Sequence, residues 1–163
     1  MKLIEQISDT LNQGAIYLTG FLTAAMTVIV FFQVIFRYVL NSPLTWSEEF
    51  SSFAFVWMAL IGASVGLKYN QHPRLDIIVT LFPKNVQRMI TGICNLPIMV
   101  MLLCLIVYSL RLAIAMRFQK TPALGYSISF VYGVLPVSAA IMLIHVIVQT
   151  ALIFNKKDRE LQK

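Results

Sequence analysis

The chain has 163 residues, 58% of them hydrophobic and only 12% charged, with a formal net charge of +6 and a mean hydropathy of +0.77. A water-soluble domain carries about 25% charged residues, so this composition argues against one and for a bundle counted in spans of about 20 apolar residues. The positive charge does not signal nucleic acid, because Lys and Arg fall between apolar runs and in the tail, with no stripe interleaved with exposed aromatics.

At the start, Leu3, Ile4, Ile7 and Leu11 recur at helical spacing with Glu5, Asp9 and Asn12 elsewhere on the wheel, which predicts a short interfacial amphipathic helix over 2–12. The apolar run that follows predicts a first span over 15–36, closed by Arg37. Its length, and the acidic Glu5 and Asp9 ahead of it, argue against a cleaved signal peptide, so the N-terminus is expected to stay attached.

The next stretch, Phe36 to Phe50, reads FRYVLNSPLTWSEEF and is the longest polar interruption in the first half. Arg37 can extend its stem along the hydrocarbon edge, and Tyr38 and Trp46 suit the aromatic belt. Asn41 favours a turn, Pro43 suits the first position of a helix, and Thr45-Trp46-Ser47-Glu48 has the form of a capping box. Two adjacent carboxylates near a low-dielectric boundary exceed what a cap needs. Glu48 and Glu49 are therefore expected to stay wet or to meet a cation, either Arg37 or a basic residue of a partner.

A second span is predicted over 47–67, closed by Lys68, with Gly62 and Gly66 forming a GxxxG that permits close helix approach. The segment HPRLDIIVTLFP follows, with Leu75, Ile78, Val79 and Phe82 at i, i+3, i+4 and i+7 between Pro73 and Pro83. It is too short to cross, so a second interfacial helix over 73–82 is predicted, a half-buried strand being the alternative. A third span over 89–110 carries Pro97, which membrane helices tolerate with a mild kink. The last apolar run is too long for one perpendicular crossing. The fourth span is set over 129–153, with a bend at Pro136, leaving TPALGYS as a loop or re-entrant lead-in.

Four spans put both termini on one side. Lys2, Lys68, Arg74, Lys84, Arg88, Lys156, Lys157, Arg159 and Lys163 share that side, against Arg37, Arg111, Arg117 and Lys120 on the other. The excess predicts cytoplasmic termini. Arg111, Arg117 and Lys120 either meet headgroups or dock an acidic partner surface.

The chemistry of a solute pathway is missing from the span interiors. A charged residue at a span centre costs about 2.5–3.5 kcal/mol, and none is placed there; His145 alone is ionisable, and lies toward the cytoplasmic end. Cys94 and Cys104, ten positions apart in one apolar run, have neither redox nor zinc spacing. No phosphate loop is present, so no catalytic, cofactor or metal site is expected.

FRYVLNSPLTWSEEF resembles the hallmark of the small integral membrane subunits, often called DctQ-like, of tripartite ATP-independent periplasmic (TRAP) transporters. HPRLDIIVTLFP is similar to that family's second stretch, a His-x-Arg-x-Asp pattern followed by an apolar run and Pro. The resemblance covers essentially the whole chain and carries over at Arg37, Tyr38, Asn41, Pro43, Trp46, Glu48 and Glu49, then at His72, Arg74, Asp76 and Pro83. Pro73 departs from it, removing a backbone N–H that the pattern usually supplies. The resemblance implies a non-catalytic subunit of the inner membrane. Its partners would be a large sodium-coupled permease and a periplasmic substrate-binding protein, serving an organic anion such as sialic acid, the type it leans to, or a C4-dicarboxylate.

Two rival readings come from other classes. Four spans, His145 and two Cys would also suit the membrane anchor of a haem or quinone redox complex. A small proton-coupled exporter would need a carboxylate well inside a span, and Glu48 and Glu49, at the very start of the second, are misplaced for that unless the span begins earlier.

Overall fold

A computed structural model describes residues 2–69 and 83–161. The predicted interfacial helix over 73–82, and His72, Arg74 and Asp76 with it, lie outside the described residues. The architecture is all-α: α1 (Lys2–Tyr38), α2 (Thr45–Lys68), α3 (Lys84–Ala115), a 3-10 turn (Met116–Phe118), a short α4 (Ile128–Tyr132) and α5 (Val134–Leu161). Among the described residues, four helical stretches are long and apolar enough to cross a membrane: Gln6–Tyr38, Thr45–Lys68, Met89–Phe118 and Ile128–Ile153.

Two local expectations are corrected. Residues 2–12 do not form a separate helix but are the opening turns of the 37-residue α1. No Pro or Gly falls between Asp9 and Gln13, so the backbone ladder has no reason to break there. The fourth span is interrupted one turn before Pro136 rather than at it. Gly133 separates α4 from α5, which places Pro136 in the first turn of α5, where its missing N–H needs no intrahelical partner. α3 runs unbroken through Pro97.

α1 packs chiefly along α2, and α3 along α5; α2 and α5 join the two pairs, leaving α1 and α3 at the outside. Buried positions are mostly small or polar: Ala15, Ala54, Ala139, Ser47, Ser64 and Ser138 lie inside, while large side chains such as Phe21, Phe31, Leu103 and Tyr108 point out. That inversion is expected when the solvent is hydrocarbon. Lipid tails are as apolar as Leu, so helices associate through close contact between small residues and a few interhelical hydrogen bonds. Gly62 shows the first device, since a methyl added there would lie 3.7 Å from Cγ2 of Thr19 on α1. Asn95 shows the second, donating to Thr150 Oγ1 at 2.8 Å between α3 and α5.

Candidate functional site

The first sequence motif folds into a clasp at the end of the bundle where α1 meets α2. Val39 donates to Ile35 and Ser42 to Phe36, and the turn between them is closed by Asn41 at φ 51°. Asn tolerates this left-handed conformation, which explains its place at the helix terminus. The capping-box expectation fails: α2 begins at Thr45 with Leu44 at its N-cap, and no side chain caps it. Ser47 instead donates its hydroxyl back to the Leu44 carbonyl at 2.6 Å. Pro43, expected at the first helical position, lies two residues before the helix, and Trp46 is exposed on the first turn.

The paired carboxylates divide their work. Glu48 turns to α1, lying 3.5 Å from Arg37 and accepting from Gln33 at 3.4 Å; the guanidinium of Arg37 also lies near the Tyr38 ring. Both Arg37 and Glu48 are more than half exposed, so this pair contributes little to stability. Glu49 turns the other way. Its two oxygens accept from the backbone N–H groups of Ala123 at 2.8 Å and Leu124 at 2.9 Å.

That bidentate contact fastens a loop from the far half of the chain. The loop is closed by Ile128 donating to the Gln119 carbonyl, Thr121 donating to Tyr126 and Gly125 donating to Thr121, with an isolated bridge between Lys120 and Ser127. Gly125 has φ +68°, a conformation costly for a residue with a Cβ. Below the loop, the Trp57 ring stacks on Phe130 at 5.1 Å. TPALGYS is thus an ordered turn held by α2. Neither the loop as the partner of Glu49 nor the role of Trp57 was legible from sequence.

Arg111, in the last turns of α3, and Arg117 and Lys120, leading into this loop, are exposed. Arg117 sits over the Phe118 ring at 4.5 Å and Arg111 near Tyr108. Among the described residues the ion pairs are Arg37–Glu48 and Lys68–Asp9, so these three cations meet no carboxylate.

At the opposite end, His145 is buried and shares a hydrogen bond of 2.8 Å between Nδ1 and the Ser8 hydroxyl. Lys68 donates to the Ser8 carbonyl at 3.0 Å and pairs with Asp9. Gln149 reaches from α5 to the Leu67 and Lys68 carbonyls at 2.9 and 3.1 Å, satisfying groups that every helix C-terminus leaves open. Asn12 donates to the Tyr69 hydroxyl. This network ties α1, α2 and α5 together, and leaves His145 Nε2 buried without a hydrogen-bond partner among the described residues. Of the remaining motif positions, Pro83 is exposed at the N-cap of α3 and Gly66 faces open space.

Residues 26–155 match the family model described as tripartite ATP-independent periplasmic transporters, DctQ component. The chain belongs to the DctQ family of TRAP transporter components. It is 29% identical over 82% of its length to a putative TRAP transporter small permease protein of Haemophilus influenzae, of which 81% is covered. It is 33% identical over 53% of its length to the C4-dicarboxylate TRAP transporter small permease protein of Vibrio cholerae, of which it spans 36%. A third relative, the sialic acid TRAP transporter permease protein of Haemophilus influenzae, is 27% identical over 88% of this chain, which spans only 22% of that protein. This family and the four apolar helices make the chain a multi-pass inner-membrane TRAP small permease subunit; the redox-anchor reading gains no support from these relatives.

Proposed function

We propose that this small permease subunit is a non-catalytic scaffold. It pairs with a large TRAP permease that carries an organic anion with sodium, received from a periplasmic substrate-binding protein. One observation carries the reading. The polar residues buried among the described residues are Ser, Asn, Thr and His, a set with no carboxylate or ammonium to exchange a coupling ion, which a transport pathway needs at mid-membrane. The charged groups instead sit at the two ends of the bundle.

Within this reading both termini are cytoplasmic. The clasp of Arg37, Tyr38, Asn41, Pro43, Trp46, Glu48 and Glu49 shapes the periplasmic end, and exposed Arg111, Arg117 and Lys120 receive the acidic surface of the binding protein. His72, Arg74, Asp76 and Pro83 belong to the cytoplasmic end, and Gly62 and Gly66 to close packing within the bundle or against the permease. The solute is an organic anion of the sialic acid or C4-dicarboxylate class, since two of the relatives carry those names. The test is reconstitution. The chain alone in proteoliposomes takes up no labelled solute, and uptake appears on adding the co-purified large permease, binding protein and a sodium gradient. Uptake by the chain alone would overturn the proposal.

A further inference from the structure

Where α2 ends, the first turns of α1 and the later turns of α5 surround a cavity of about 260 Å³ whose lining includes polar Ser8, Asp9, Lys68 and Gln149 and apolar Val148 and Leu152. Lys68 is the last residue of α2, so the cavity lies at the level where an apolar span gives way to the membrane surface. Its side chain is only 19% exposed, whereas that of Asp9 is 72% exposed. An ammonium has three donors. Two are taken by the Ser8 carbonyl and the Asp9 carboxylate, leaving one N–H of a sheltered cation without an acceptor among the described residues. Asp9 already balances the charge, but a sheltered donor is costly unless an acceptor completes it.

We propose that this cavity is a phospholipid site. The lipid phosphate takes the remaining donor of Lys68, and the glycerol and upper acyl chain lie against Leu152, which is exposed and belongs to the apolar stretch of α5. A soluble phosphate would satisfy Lys68 but leave the exposed Leu152 facing water. The exposed Asp9 carboxylate, a few ångströms from the same ammonium, attracts a headgroup that carries an amine and repels one that does not. Phosphatidylethanolamine is therefore preferred to phosphatidylglycerol. This site is independent of the scaffold role.

The chain, co-purified with its large permease or alone if the two do not associate, is reconstituted in nanodiscs of equal phosphatidylethanolamine and phosphatidylglycerol. It is then re-extracted, and retained lipid is counted by native mass spectrometry. The wild type retains phosphatidylethanolamine about threefold or more over phosphatidylglycerol. Asp9→Asn keeps lipid but loses that preference, and Lys68→Gln lowers retention about fivefold or more. Leu152→Trp, which fills the apolar side and leaves the ion pair intact, expels the lipid; it carries the test if Lys68→Gln fails to fold by circular dichroism. Retention unchanged in both Lys68→Gln and Leu152→Trp, or no headgroup preference in the wild type, overturns the proposal. So does inorganic phosphate binding to delipidated protein with the same Lys68 dependence, which would make the site one for free phosphate. Loss of association with the permease bears only on the proposed function.

Discussion

Asn95→Ala tests how this bundle is held together. Asn95 is 2% exposed and its amide donates to Thr150 Oγ1 at 2.8 Å across the α3–α5 contact. Interhelical side-chain bonds in membranes average about 0.6 kcal/mol and reach about 1.7, because the unfolded chain in lipid also finds partners. Thr150 still donates to the Val146 carbonyl at 2.8 Å, so the substitution strands no hydroxyl. Shortening Asn to Ala empties roughly 25–30 Å³, which at about 24 cal/mol per Å³ adds about 0.7 kcal/mol. The expected loss is about 1–2.5 kcal/mol. Asn95→Leu refills the space and should lose only the bond, about 0.6 kcal/mol. Reversible unfolding in mixed micelles, titrated with a denaturing detergent, measures both. A loss above about 4 kcal/mol for Ala, or an equal loss for Leu and Ala, would refute the view that this contact is one modest bond plus packed volume.

Three more outcomes are expected. Glu49→Ala releases the Ala123 and Leu124 amides, so hydrogen exchange at those two positions accelerates about tenfold or more while the α3 interior stays unchanged; Glu49→Gln, which keeps one acceptor oxygen, falls between. Gly62→Ala is close to neutral, because its methyl meets Thr19 at an ordinary 3.7 Å, whereas Gly62→Leu forces α1 from α2 and costs about 1–3 kcal/mol of bundle stability in the same detergent titration. Reversing the charges of Arg111, Arg117 and Lys120 together weakens substrate-binding-protein docking about fivefold or more, as read by surface-immobilised complex, and the loss shrinks with added salt. Unchanged affinity would return those cations to headgroup contact.

How far the sequence could be read depended on the range of each interaction. Four apolar runs bounded by Arg37, Lys68, Pro83 and the basic tail needed only hydropathy and length, because the bilayer imposes the same demand on every segment. Asn41 signalled its turn because a single backbone conformation is at stake. Thr45-Trp46-Ser47-Glu48 signalled wrongly. The helix entered through Leu44 without a side-chain cap, and Glu48 was drawn to Arg37 and Gln33 on another helix. Continuity of α1 through residues 2–12 was missed because an amphipathic pattern fits both a surface helix and a helix whose polar side meets Lys68 and Tyr69.

The sequence by itself determined that this protein lives in a membrane, how many times it can cross and which family it resembles, since all three rest on hydropathy or on short contiguous patterns. Only the tertiary structure decided that Glu49 holds a loop more than 70 residues away, that His145 Nδ1 meets the Ser8 hydroxyl, and that Lys68 lines a cavity beside an exposed Leu152. The reason is physical. A carboxylate, an imidazole or an ammonium near a bilayer must find a partner, but its identity depends on which helices lie within about 3 Å, and one-dimensional spacing does not encode that distance.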